Sequence, residues 1–189
     1  MNTLETTKRL ILKVSEDDEI AFSKLYDIYF SKVFSFAGCF IRSVESRKEV
    51  VSDVFLTLWN NRIRLPGIAS FESYLFIITR NKSVDYLDRF KQTPAYMLDS
   101  SFEIMEEKDT PEFNMIYNEL EALINKSISE LPERCRLIFL LSRDEGFTYN
   151  QIADILSLSE STVNGQMVIA IRKLGEALRK YLRFVLIFN

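Results

Sequence analysis

The feature that most restricts how this chain can fold is an apolar pattern that recurs every three or four residues. In one stretch the spacing runs three, four, four, three and four, and it connects Phe22, Leu25, Tyr29, Val33, Phe36 and Phe40. Such a spacing places apolar side chains along one face of an α-helix of about five turns. Helix breakers are scarce, since glycine occurs 5 times and proline 4 times in 189 residues. We therefore predict an all-α protein.

Residues 1–93 are predicted to form a first helical domain. The second helix of this part carries an apolar face made of Val51, Val54, Phe55 and Leu58. Pro66 and Gly67 then interrupt the pattern, and Ser70 is expected to cap a third helix that is apolar early and basic late.

The segment 94–117 is predicted to be a flexible acidic linker between two domains. It contains two prolines and clustered acids without a sustained apolar period, which is typical of a tether. Residues 94–120 hold one lysine and seven acidic residues, although the net charge of the whole chain is only −3. Such a segment can also compete with DNA for basic surfaces, so both roles stay open.

Residues 118–189 are predicted to form a second helical domain that contains a helix-turn-helix. Thr148 caps a short helix, a turn follows, and a long helix begins at Glu160. The short helix is expected to bury Tyr149, Ile152, Ala153 and Leu156. The long helix is expected to bury Val163, Met167, Ala170, Ile171, Leu174 and Leu178. A helix presented after such a turn can enter a DNA major groove.

The apolar tail RFVLIFN can extend the last helix, pack on the domain or bind a partner, and packing is expected.

Residues outside the buried stripe of the long helix are candidates for DNA contact. At about 100° per residue, five of them are expected to point away from the core: Ser161, Gly165, Val168, Ile169 and Arg172. Three polar residues flank them: Thr162, Asn164 and Gln166. Asn and Gln side chains can pair with adenine, and cationic side chains can reach phosphates. Gly165 costs about 1 kcal/mol in a helix, but it allows DNA to approach the backbone closely.

Residue types that support catalysis or metal binding are few. The chain has no histidine and two cysteines, Cys39 and Cys135, which lie in apolar surroundings without a CxxC spacing. We expect buried, reduced thiols and no metal, cofactor, small-molecule substrate or enzyme activity. The N-terminus lacks a signal-peptide core, and no stretch approaches the ~18 apolar residues of a membrane span. A cytoplasmic location without membrane insertion is therefore expected.

Three segments, in this order, resemble the extracytoplasmic function (ECF) type of bacterial RNA polymerase sigma factor. They are KEVVSDVFLTLW, SFESYLFIITRNKSVDYLDR and ISELPERCRLIFLLSRDEGFTYNQIADILSLSESTVNGQ. The first two look like the polymerase-docking and promoter-melting parts of sigma region 2, and the third looks like sigma region 4. The resemblance implies a factor that binds core RNA polymerase and promoter DNA and directs promoter-specific initiation. It also implies an anti-sigma factor as a partner.

The resemblance assigns roles to residues that match the family motifs. Polymerase docking is implied for Glu49, Asp53 and Trp59, whereas Phe55 and Leu58 are expected in the core. The loop 62–70 is expected to hold a flipped base of the downstream element. The unpaired strand is expected to follow Arg62, Arg64, Arg80, Asn81, Lys82 and Arg89. The upstream duplex is expected to contact Ser161, Thr162, Asn164, Gly165, Gln166, Ile169, Arg172 and Lys173.

The chain departs from the family pattern at several positions. Ser52 stands where glutamine is common, Tyr74 where tryptophan is common, and Ser157 where a turn glycine is usual. In the recognition helix the unusual residues are Gly165, Gln166 and Ile169, which leaves the upstream sequence open.

Two alternatives to a sigma factor follow from the sequence. One is a degenerate sigma-like adaptor that binds polymerase or an inhibitor and reads no promoter. The other is a helix-turn-helix transcription regulator without initiation activity. The N-terminal half lacks the apolar runs of a parallel sheet, which disfavours a regulator built on a receiver domain.

Overall fold

The chain divides into two compact units, Met1–Leu98 and Asp99–Asn189. The computed structural model describes the backbone of residues 3–90 and 115–188 and the side chains of residues 5–90 and 122–179. Every regular element within those ranges is a helix, which confirms the all-α prediction. The predicted linker lies outside the described residues as far as residue 114, and a helix begins at Met115.

The first unit is a set of helices around one apolar core. Their bounds are α1 Thr3–Ser15, α2 Glu19–Gly38, α3 Val44–Asn60, the 3-10 helix η1 Arg62–Gly67 and α4 Phe71–Phe90. The predicted stripe of α2 is confirmed at Leu25, Tyr29 and Val33, which are at most 2% exposed. The predicted buried face of α3 is confirmed at all of its members: Val51, Val54, Phe55 and Leu58.

Helix α1 is an element that the sequence analysis does not predict. It buries Leu10, Ile11 and Val14 and packs against α2 and η1. The hydroxyl of Thr7 lies 3.1 Å from the hydroxyl of Tyr29 on α2, and both side chains are buried. The N-terminal segment therefore belongs to the core of this unit.

The segment after α3 also differs from expectation. The predicted loop 62–70 is largely the 3-10 helix η1, which is anchored by Leu65 at 1% exposure. Pro66 is accommodated inside η1, and Ser70 caps α4 as predicted, since its Oγ accepts a hydrogen bond from the Ser73 backbone N–H at 3.3 Å. The burial of Leu65 therefore fixes one side of the η1 backbone against the core.

The second unit contains four helices within its described residues. They are α5 Met115–Ser129, α6 Glu133–Arg143, α7 Tyr149–Leu156 and α8 Glu160–Phe188. Helices α6, α7 and α8 pack against one another. Each contributes a fully buried residue, namely Ile138, Ile152 and Val163. The tail continues α8 to Phe188, whereas the packing of its side chains lies outside the described residues.

Two details of the predicted core of this unit are wrong. On α7 Ile155 is fully buried in addition to the predicted Ile152, while Tyr149 and Leu156 are half-buried rather than buried. On α8 Ile171 is 57% exposed rather than buried, and Ile169 is half-buried rather than outward. The apolar pattern gives the angle of a residue on its helix, but neighbouring helices decide which flank is covered. In the part of the chain that the structure describes, no helix is both long and apolar enough to span a membrane.

Candidate nucleic-acid and polymerase interfaces

Local motifs at the two ends of α7 stabilise the helix-turn-helix. Thr148 and Gln151 form a reciprocal capping box at the start of α7. At its end Ser157 takes a left-handed conformation with φ 53° and ψ 51°. The Leu158 N–H donates to the Ala153 carbonyl at 2.9 Å, as in a Schellman motif. These contacts fix the direction in which α8 leaves the turn.

The first turn of α8 is capped by a residue that the sequence analysis does not assign. Ser159 Oγ accepts a hydrogen bond from the Thr162 backbone N–H at 3.1 Å. The same hydroxyl lies 2.9 Å from that of Ser161 and 2.7 Å from that of Thr162. Two predicted DNA contacts thus belong to a hydroxyl cluster at the helix N-terminus, where a backbone phosphate would also be favoured. The signal was present in the sequence as a serine directly before a helix start.

The exposed face of α8 contains most of the predicted DNA contacts. Its described members are Ser161, Asn164, Gly165, Val168, Ile171, Arg172 and Lys173. Ile169 does not join them, because it packs against the cluster of Leu131, Cys135 and Ala170. The prediction that Ile169 faces outward is therefore wrong.

Packing among the described residues of this unit does not demand Gly165. Of the atoms that the structure describes, a Cβ added there would meet no heavy atom within 4 Å, apart from its chain neighbours and its own helix backbone. Gly165 therefore leaves an open strip of helix backbone on the exposed face.

Gln166 is held from inside the protein. The Cys135 thiol on α6 donates to Gln166 Oε1 over an Sγ–Oε1 distance of 2.8 Å. Cys135 is 2% exposed, as the sequence analysis predicts for a structural thiol, and Cys39 is intermediate in exposure. Burial raises the pKa of the Cys135 thiol, while nearby Lys173 opposes part of that rise. The thiol is therefore a protonated donor at neutral pH.

The predicted docking face on α3 is partly apolar. Glu49 is exposed and Asp53 is half-buried, at a spacing that puts both on one face. Leu56 lies on that same face and is 57% exposed, although the sequence analysis does not select it. An apolar residue on the outer side of an otherwise well-ordered helical pattern was the available signal.

Trp59 lies at the end of α3 as part of an aromatic group. Its ring meets Phe22 edge-on at a centroid distance of 5.0 Å. The Arg62 guanidinium lies over the same ring at 4.7 Å. Trp59 is half-buried, so one part of the indole is fixed by the core and another part is accessible.

Arg62 is already bound within the protein. Its guanidinium forms an ion pair with the Asp17 carboxylate and donates to the Trp59 carbonyl at 3.0 Å. Asp17 has φ 68° and is well exposed, with its side chain at 66%. Arg64 is exposed on the same 3-10 helix. The two predicted cations of η1 therefore differ in availability.

The four predicted strand contacts on α4 do not form one line. Arg80 and Arg89 are nine residues apart, which places them on opposite sides of a helix. Lys82 and Arg89 share one side, and Asn81 is exposed between the two sides and lies 3.0 Å from Arg80 Nη1. Acidic Asp85 is also exposed next to that side. A uniform cationic track along α4 is therefore absent.

Comparison with known proteins agrees with this division into two units. Residues 25–92 match Sigma-70 region 2, and residues 121–174 match Sigma-70 region 4. The chain is 25% identical over 191 residues to the RNA polymerase sigma-H factor of Pseudomonas aeruginosa, covering 97% of this chain and 99% of that protein. It is 28% identical over 172 residues to the ECF RNA polymerase sigma-E factor of Haemophilus influenzae, covering 86% of this chain and 89% of that protein.

Two solved structures are similar to the chain in fold. One is CnrH in complex with the cytosolic domain of CnrY, with a TM-score of 0.54, 19% identity and coverage of 93% of this chain and 98% of that chain. The other is the sigma factor RpoE in complex with the anti-sigma factor NepR from Bartonella quintana. Its TM-score is 0.56 at 16% identity, with coverage of 84% of this chain and 96% of that chain.

A region 2 unit followed by a region 4 unit with a helix-turn-helix defines a class of bacterial transcription proteins. The chain belongs to the sigma-70 family, as a sigma factor of the ECF type.

Proposed function

We propose that this protein binds core RNA polymerase in the bacterial cytoplasm and directs initiation at promoters with two elements. The observation that carries the proposal is the order of the two matched regions, each on its own helical unit. The protein contributes recognition and strand capture and catalyses no reaction itself. Polymerase supplies the nucleotide chemistry.

The first unit is proposed to dock on polymerase through α3. Glu49 and Asp53 offer charge, Leu56 offers apolar area, and the accessible part of Trp59 borders them. An apolar centre with a charged surround is typical of specific protein interfaces. Leu56 is therefore the residue that most directly tests this surface.

The same unit is proposed to hold the unpaired strand of the downstream element. The proposed cationic contacts are Arg62, Arg64, Arg80, Lys82 and Arg89, with Asn81 as a polar contact. Cations distributed on η1 and on both sides of α4 suit a strand that crosses the helix better than one that runs along it.

The second unit is proposed to read the upstream element with α8. The proposed contacts to bases or backbone are Ser161, Thr162, Asn164, Gly165, Gln166, Arg172 and Lys173. Ile169 supports the helix from its buried side. Open backbone at Gly165 supports the proposal, because nothing among the described residues of the unit explains the glycine. An anti-sigma factor is proposed as a further partner, by analogy with the complex named for RpoE.

The decisive experiment is initiation with purified components. The protein is added to sigma-free bacterial core polymerase with templates whose upstream sequence is randomised, and the transcripts are sequenced. The proposal requires start sites that share two spaced motifs. Binding to core without any initiation contradicts it.

A matched pair of variants tests the docking surface. Leu56→Glu puts a charge at the centre of the proposed interface and is expected to weaken binding to core about tenfold or more. Ile20→Glu is the control, because Ile20 is 72% exposed and lies on α2 rather than α3. Affinity is measured by titrating labelled protein with core polymerase. Equal losses in both variants argue against the α3 surface.

A sigma-like adaptor is the second candidate. The exposed apolar side chains Val168 (58%) and Ile171 (57%) on α8 favour it, since they suit a protein partner as well as thymine methyl groups. In this case the protein binds core polymerase but supports no initiation from the template pool.

A further inference from the structure

The contact between Cys135 and Gln166 joins the core of the second unit to its DNA-facing helix. Cys135 lies on α6 among the apolar side chains of Leu131, Phe139 and Leu174, and it is 2% exposed. Gln166 lies in the second turn of α8 and is half-buried. The two residues are 31 positions apart, and their side chains meet at an Sγ–Oε1 distance of 2.8 Å. The contact is therefore a tertiary one.

Gln166 lies on a line of side chains that leads from the turn to solvent. Thr162 is four residues before it and Lys173 is seven residues after it, so all three share one flank of α8. Thr162 is half-buried near the helix start, and Lys173 is exposed. A nucleic acid at this flank would meet the outer end of the Gln166 side chain between a hydroxyl and a cation.

The hydrogen bond determines which end of the carboxamide faces outward. A carboxamide has an acceptor oxygen and two N–H donors on the same planar group. Because the oxygen is turned toward the thiol, the Nε2 group takes the opposite, outer position. We infer that Cys135 is a positioning residue for promoter recognition, which makes Gln166 a donor toward the upstream element.

This inference rests on the proposed function and makes its specificity more definite. A glutamine whose carboxamide is free to rotate pairs with adenine through both groups. Its N–H donates to the N7 acceptor, and its oxygen accepts from the N6 donor. A glutamine that presents donors alone matches guanine, whose N7 and O6 are both acceptors. The base pair that Gln166 faces is therefore expected to carry guanine rather than adenine.

The core supports the thiol as a stable donor. Burial is the larger influence on the Cys135 thiol and raises its pKa, so the thiol keeps its proton at neutral pH. The apolar side chains around the thiol offer it few hydrogen-bond acceptors other than Gln166. Cys135 lies within the core, so it acts on DNA only through Gln166.

The test uses the full chain with core polymerase and the randomised templates. Gln166→Ala is expected to abolish one base preference in the upstream motif, which identifies the position that Gln166 reads. Cys135→Ala is expected to shift that same position from guanine toward adenine by about threefold to tenfold, the value of one hydrogen bond. Cys135→Ser keeps a donor and is expected to retain the guanine preference.

The double variant separates positioning from a general structural effect. Cys135→Ala combined with Gln166→Ala should equal Gln166→Ala alone at that base, since Cys135 acts through Gln166. Thermal unfolding of each variant shows whether the second unit remains folded. An unchanged base preference in Cys135→Ala, when Gln166→Ala alters it, overturns the inference and leaves the proposed function intact. An unaltered motif in Gln166→Ala overturns it as well.

A spectroscopic measurement tests the contact without transcription. In a Cys39→Ser background the chain has Cys135 as its one thiol. Its S–H stretching band in the infrared is expected to move to higher frequency when Gln166→Ala is added, because the hydrogen bond that weakens the S–H bond is lost. A band that does not move overturns the inference. Absence of transcripts from the wild-type protein is a separate result, which refutes the proposed function.

Discussion

Ser157 is the residue at which the turn between α7 and α8 carries conformational strain. It adopts a left-handed backbone with φ 53°, although it has a Cβ, and its side chain is exposed. A left-handed residue other than glycine costs of order 1 kcal/mol. The turn keeps this geometry because the Schellman bond from Leu158 to Ala153 requires it.

Ser157→Gly is expected to stabilise the second unit by about 0.5–1 kcal/mol, because glycine adopts this conformation without a Cβ clash. For a unit of this size the unfolding temperature should rise by about 2–8 °C. Ser157→Ala is the control, since alanine keeps the Cβ and should bring no gain. Calorimetry of the full chain measures both. A gain in the alanine variant equal to that in the glycine variant argues against strain as the cause.

Gly165 permits a prediction in which stability and recognition change in opposite directions. Gly165→Ala is expected to stabilise α8 by about 0.5–1 kcal/mol and to weaken selection of the upstream element. Gly175 on the same helix is the matched control, because a Cβ there would make an ordinary contact 3.9 Å from Arg179. Gly175→Ala should give a similar stability gain with unchanged selection. If both variants select promoters equally well, Gly165 has no role in DNA approach.

At the scale of elements, α1 ties the N-terminal segment to the part of the protein proposed to hold the unpaired strand. Leu10, Ile11 and Val14 are buried, and α1 packs directly against η1. Arg62 and Arg64 lie on η1, so the position of two proposed DNA contacts depends on this packing. Loss of α1 packing should therefore affect promoter opening more than binding to polymerase.

Ile11→Ala is expected to destabilise the first unit by about 2 kcal/mol or more, through lost burial and a cavity. Leu12→Ala is its neighbour and control, because Leu12 is 55% exposed and should change stability by about 0.5 kcal/mol or less. Calorimetric unfolding of the full chain measures the transition of the first unit. Equal shifts for the two variants mean that α1 is not docked as described.

The sequence allows the long elements to be predicted and leaves their contacts open. Sustained apolar spacing predicts the existence of α2, α3 and α8, because an apolar stripe with a helical period is typical of a helix that buries one face. Helix α1 is missed, since its apolar run is short and stands beside charged residues. Ile169 and Ile171 are interchanged because the helical angle is similar for many arrangements of the neighbouring helices. The Cys135–Gln166 contact, 31 residues apart, has no local signal in the sequence.

At the scale of the whole molecule, the charge distribution is unusual for a DNA-binding protein. The net charge is −3, and acidic Asp85 and Asp88 are exposed on α4 near the proposed strand contacts. Such a surface gives weak attraction for phosphates unless another protein provides the cationic channel. Recognition by this chain should therefore depend on polymerase.

The free protein is expected to bind a promoter duplex at least about tenfold more weakly than its complex with core polymerase does, because its net charge repels DNA. Fluorescence anisotropy of a labelled promoter duplex measures both affinities. Core polymerase alone and a duplex with a scrambled upstream element serve as controls. Comparable affinity of the free protein and the complex contradicts this division of labour.

The ion pair between Arg62 and Asp17 has a consequence for the ionic-strength dependence of strand capture. A free arginine that meets a phosphate releases a condensed counterion, and the affinity then falls steeply as salt rises. Arg62 is neutralised by Asp17 before DNA arrives. A phosphate that takes the place of Asp17 leaves a carboxylate that recruits a cation from solution. The exchange is then nearly balanced in ions, so the proposed strand capture through Arg62 should tolerate changes in cellular salt that would weaken an ordinary phosphate contact.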